Sequence, residues 1–212
     1  MGASQSMEQY LDRPSTETGL RRREMKALIA CWAVIEQDLR DQSIKLFVRL
    51  MRKHPEYRRY FRTLASSSPR VLSSIAADAR VQTHFRNILT SVGSLVYTSV
   101  NKPDNLVPKY DFLALVHRHI GLGLQDFFNF RDELIDYFKS EFPSQMTPLC
   151  VGAWHTLLTR AFTEICLRID EYHRTAPREG THKRQAEEDA QDGESAVSCK
   201  RGENYSLGFY NV

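Results

Sequence analysis

The sequence predicts an all-α fold of about seven to eight helices. Three observations lead there. Apolar residues recur at i, i+3, i+4 and i+7 between Met25 and Ile169, the spacing of one helical face. No segment sustains apolar–polar alternation, so no strand is expected. Loop signals built from Ser, Pro, Asn and Gly punctuate the apolar stripes, without a repeat at any fixed period.

The elements follow in order. Met25, Leu28, Ile29, Trp32, Ile35 and Leu39 form the first stripe, and Ile44, Phe47, Leu50 and Met51 continue it. Pro55 sets a break, after which Tyr57, Tyr60 and Phe61 predict a short turn of α- or 3₁₀-helix. Ser66-Ser67-Ser68-Pro69 reads as a loop. Val81, His84, Phe85, Ile88, Val92 and Leu95 form the next stripe, closed by Asn101-Lys102-Pro103-Asp104-Asn105. Phe112, Leu115, Val116 and His119 predict a short helix stopping near Gly121 and Gly123. Phe127, Phe130, Leu134, Ile135 and Phe138 make another, ending before Pro143. The last runs through Leu149, Trp154, Leu157, Leu158, Ala161, Phe162, Ile165 and Ile169.

Composition divides the chain. Residues 24–174 hold nearly all the bulky apolar groups and read as one domain of average size. Residues 1–23 and 175–212 are poor in such groups and are expected to be a flexible extension and a disordered tail, because they bury too little surface to offset ordering entropy. A net charge of +3 from 29 basic and 26 acidic residues gives no reason to expect nucleic acid as a partner. No apolar run is long enough for a transmembrane helix, and the polar start argues against a signal peptide. The four cysteines (Cys31, Cys150, Cys166, Cys199) form no C-x-x-C pair and fit a reduced, cytoplasmic protein. No G-x-S-x-G, glycine-rich phosphate loop or H-E-x-x-H occurs, so a dedicated hydrolase or transferase is not expected.

Two histidines interrupt the apolar stripes. His84 lies three residues after Val81 and four before Ile88, and His119 lies four after Leu115 and three after Val116. Helical arithmetic turns both inward and turns His117, two residues before His119, outward. A buried imidazole without a partner costs roughly 1–3 kcal/mol. Each ring therefore either bonds a core carbonyl or faces a cofactor. Zinc would need further ligands, which these stripes lack. Iron in a porphyrin needs only one or two imidazoles and an apolar slot, because the macrocycle supplies four nitrogens.

Further residues carry a family resemblance. Leu46-Phe47-Val48-Arg49-Leu50-Met51, His54-Pro55-Glu56 and Phe61 resemble the globin second helix and the corner that follows it. Pro55 and Phe61 have the separation at which a globin phenylalanine lies on the haem, and Trp32 stands where the first globin helix has its tryptophan. Val81 to Leu89 is similar to the distal helix, Leu115-Val116-His117-Arg118-His119 to the proximal one, and Met146 to Ile169 to the last helix of neuroglobin-like and invertebrate globins.

The resemblance implies haem b in a pocket containing Phe47, Phe61, His84, Ile88, Leu115 and His119. His119 would be the proximal iron ligand, and His84 the distal ligand or a hydrogen-bond donor to oxygen. It further implies oxygen, nitric oxide or carbon monoxide as ligands and a reductase as partner. Likeness to neuroglobin-like chains favours a six-coordinate haem with a redox, nitric oxide, nitrite or sensing role. A five-coordinate oxygen carrier and a haem-free interaction module remain as alternatives.

Separately, Met1-Gly2-Ala3-Ser4-Gln5-Ser6 matches the N-myristoylation pattern at Gly2. With Arg21-Arg22-Arg23 and Lys26, it predicts contact with the inner face of the plasma membrane.

Overall fold

The computed structural model describes residues 12–61 and 76–175. Among these residues, six α-helices span α1 Arg22–Ile35, α2 Leu39–Lys53, α3 Ala79–Asn101, α4 Leu106–His117, α5 Leu124–Glu141 and α6 Pro148–Thr175. Three 3₁₀ segments, Glu36–Asp38, Pro55–Phe61 and Pro103–Asn105, join α1 to α2, follow α2, and precede α4. No strand occurs among the described residues, and the chain is all-α as its periodicity predicts. Pro55 begins the expected short turn. The Ser66–Pro69 loop signal, Gly2 and residues 176–212 lie outside the described residues.

The fold begins earlier than composition suggests. Residues 12–23 belong to the segment read as a flexible extension, yet Leu20 is fully buried in the core. Its seat is a compact turn. The Gly19 N–H donates to the Ser15 carbonyl at 2.8 Å, with Gly19 at a φ of +71° that favours glycine. The Arg21 N–H, at the helix N-cap, donates to the Glu24 carboxylate at 2.7 Å. Leu20 just before the cap and Met25 in the first turn join the same cluster, the arrangement of a hydrophobic staple. One leucine beside a cap is enough to order a stretch whose average composition is polar.

Two apolar clusters make the interior. The larger joins α1, α3, α4, α5 and α6, and its centre is Trp32 edge-on to Trp154 with ring centroids 6.2 Å apart. Trp154 also lies 5.4 Å from Phe138. The smaller brings together Phe47, Leu50 and Met51 of α2, Tyr57, and Val81 and Phe85 of α3. Phe130 of α5 packs against both clusters. Glu133, almost fully buried on α5, is held by Arg49 (3.3 Å) and Lys53 of α2, so a buried carboxylate is compensated by two cations.

The inward face of α4 differs from expectation. Phe112, Leu115 and Val116, read as its buried stripe, are 56%, 43% and 47% exposed. Leu106, Tyr110 and Ala114 are buried instead. Its two charged residues, Lys109 and Asp111, stand about 200° apart around the helix, so periodicity had no single polar face from which to orient it.

The crossing of α1 and α3 depends on Gly93. A Cβ there would lie 2.3 Å from Cζ2 of Trp32, whose indole is confined by Trp154 and cannot swing away. Gly93→Ala is therefore expected to destabilise the fold by about 1–3 kcal/mol through overpacking, read as a lower urea midpoint.

Candidate functional site

The distal wall is assembled from three elements. Phe47 comes from α2, Phe61 from the end of the 3₁₀ segment after Pro55, and His84, Phe85 and Ile88 from α3. Phe47 lies 4.7 Å from Phe85 and 6.0 Å from Phe61, both edge-on. The half-buried His84 ring stands edge-on to Phe61 at 5.6 Å and to Phe85 at 5.9 Å. Neither His84 nitrogen has a hydrogen-bond partner among the described residues. Ile88, one turn further along α3, packs against the same cluster. Phe47, Phe61, His84 and Ile88 are thus together, as the sequence suggested.

The histidine of α4 that packs inward is His117, not His119. His117 closes α4, and its Nδ1 lies 2.7 Å from the Leu113 carbonyl one turn back. A carbonyl only accepts, so Nδ1 carries the proton and the Nε2 lone pair stays free. The ring is edge-on to Phe127 at 5.6 Å, and Phe127 continues to Phe162 at 5.2 Å. His119 is exposed beyond the helix end, where its Nε2 accepts from the Arg118 guanidinium at 2.8 Å.

The inward orientation expected for His119 and the outward one for His117 are therefore reversed. Helical arithmetic was carried past a helix that ends at His117 and was anchored on Leu115 and Val116, which face out. Leu115 is likewise not in the pocket; Leu113 is the residue that touches the histidine. The four-residue step from Leu106 through Tyr110 and Ala114, with Leu113 and His117 beside it, carried the correct orientation in the sequence.

Electrostatics agree with the geometry. Burial pushes His117 below its ordinary value near 6.5, against the opposing bond to Leu113. Burial also lowers His84, and the charge that His117 would carry lowers it further. Both imidazoles are thus biased toward the neutral form, and each keeps a nitrogen without a hydrogen bond among the described residues. Among the described residues no three His, Cys, Asp or Glu side chains converge as a metal-binding group.

A family model described as Globin matches residues 44–165. The chain is a globin. Its match includes both imidazoles and every aromatic residue of the two walls. A haem-binding function, with oxygen or a similar small gas as ligand, belongs to the family as a whole. The residues of this globin fit an iron porphyrin, which asks a protein for one or two neutral imidazoles and apolar walls and brings its other four ligands itself.

The proton balance gives a test. Above about pH 6.5 these two rings are neutral in both folded and unfolded chains. Below it the unfolded chain takes up protons that the folded chain refuses, so stability falls with pH by up to about 1.4 kcal/mol per unit for each ring. In the haem-free globin, urea midpoints measured from about pH 8 to about pH 5 should fall, and His117→Leu should flatten the slope by about one proton.

Proposed function

We propose that this globin is six-coordinate, with His117 as the proximal and His84 as the distal iron ligand, and that it serves redox, nitric oxide or nitrite chemistry or gas sensing. The observation that carries this reading is two imidazoles biased toward the neutral form and packed against aromatic rings, each with a nitrogen that no group among the described residues uses. Haem, when bound, supplies an iron that exchanges electrons and takes small gases. The chain's own residues do the rest. Leu113 holds the His117 ring in one tautomer and raises its basicity, as carbonyl partners of metal-bound histidines do. Phe61 and Phe85 confine the swing of His84. Phe47 is a wall without a polar atom, so His84 is the hydrogen-bond donor that the distal residues offer a guest.

The cofactor proposed is haem b, held without covalent links, because no C-x-x-C-H attachment run occurs in the sequence. Oxygen, nitric oxide or carbon monoxide are the gases proposed, with a reductase to renew the ferrous state. The place proposed is the cytoplasm, at the inner face of the plasma membrane through myristoyl-Gly2. Metabolic labelling with an alkyne-bearing myristate should mark the protein in eukaryotic cells and fail in Gly2→Ala; equal labelling of both would remove the lipid from this reading.

The ligand assignment is tested by three variants. His117→Ala should lose haem during gel filtration while His119→Ala keeps it. The wild-type ferrous spectrum should be low-spin, with split visible bands. His84→Leu should turn it high-spin and speed carbon monoxide binding at least about tenfold, since gas no longer competes with an internal ligand. A wild-type ferrous protein that is already high-spin would return the reading to a five-coordinate oxygen carrier.

A further inference from the structure

The two ends of the described chain meet through sulfur. Cys31 on α1 and Cys150 in the first turn of α6 are both buried at 1% exposure, and both are reduced in this structure. The Cys150 Sγ lies 3.8 Å from the carbonyl of Ala27, one turn before Cys31 on the same strip of α1. Both thiols belong to the same buried cluster between α1 and α6. The Cys31 Sγ also lies 3.6 Å from the Sδ of Met146, just ahead of α6. A packed core is served as well by alanine or valine here; two thiols in contact are instead the starting arrangement for a disulfide.

We propose that Cys31 and Cys150 are an oxidisable pair that hydrogen peroxide converts to a disulfide joining α1 to α6. The Cys31 sulfur attacks one peroxide oxygen. The O–O bond breaks, the thiol proton leaves with the departing oxygen as water, and Cys31 becomes a sulfenic acid. The Cys150 sulfur then attacks that of Cys31. The S–O bond breaks, and the hydroxyl leaves with the Cys150 proton as a second water. The two thiols lose two electrons and one peroxide gains them.

The order of attack follows from the contact between the thiols. The neighbouring thiol favours the anion of Cys31 and disfavours that of Cys150, so Cys31 is the better nucleophile. Peroxide is little larger than water, and a local opening that admits one admits the other. Cys166 lies elsewhere, beside Leu122, Thr163 and Asp170, and has no thiol partner among the described residues.

The test uses the full-length haem-loaded protein, treated with hydrogen peroxide or, separately, with diamide, which oxidises thiols directly. After denaturation and alkylation without reductant, the intact mass should fall by two hydrogens relative to the unoxidised chain with two alkyl groups fewer. Digestion should yield a peptide pair linked through Cys31 and Cys150, released by reductant. The oxidised protein should melt several degrees higher, because the bond closes most of the chain into one loop. Cys31→Ser and Cys150→Ser should each abolish the linked peptide and the shift, whereas Cys166→Ser keeps both. Full alkylation of Cys31 and Cys150 after both oxidants, or a bridge through any other cysteine, would overturn the pair. A bridge with diamide and none with peroxide would overturn the assigned oxidant.

Discussion

The hydrogen bond from the His117 ring to the Leu113 carbonyl is the contact on which the site depends. It spans 2.7 Å within a single helical turn, so it needs no distant element to set it. Yet it decides three things together: which ring nitrogen holds the proton, which one is left with a lone pair, and which way the ring is turned. The bond alone would raise the affinity of His117 for a proton; burial outweighs it, and the ring stays neutral. A neutral, oriented imidazole is what an iron porphyrin requires of a proximal ligand.

The rest of the fold holds a second imidazole, His84, among the aromatic rings of α2 and α3. Phe130 ties α5 to both apolar clusters, so the aromatic cluster of α2 and α3 and the larger cluster that includes α4, α5 and α6 share one scaffold. The scaffold is stiff where it most needs to be. Glu133 and its two cations pin α2 to α5, and the indole of Trp32 lies on the bare backbone of Gly93 where α1 crosses α3. Interiors at this density transmit displacement rather than absorb it. Moving α3 against its neighbours would move His84 with it.

The residues most polar by type are also the most economically placed. His84 is surrounded by phenylalanine edges and has no protein hydrogen bond among the described residues, a costly state for a core imidazole unless something else uses its nitrogen. Within the globin family that something is haem or a gas bound to it. The same reasoning applies to sulfur: Cys31 and Cys150 lie buried in the larger apolar cluster, apart from the smaller one that packs beside His84.

The sequence by itself determined the all-α class, the order of the helices and the distal wall. Stripes with a clear polar side, such as the one through His84 and Ile88, can be oriented from periodicity alone, because only one face can be buried. Pro55 announced its 3₁₀ turn for an equally local reason, the missing N–H and fixed φ. Only the tertiary structure decided which face of α4 turns inward. With apolar residues on every side of α4 and its two charges on different faces, the buried face is chosen by the surfaces packed against it, and that choice brought Leu113 and His117 inward and left Leu115 and His119 outside. Tertiary structure likewise buried Leu20 within a polar stretch and brought together two cysteines that look scattered along the chain. Local spacing records which residues share a face; which face meets the core is settled by the neighbours it meets.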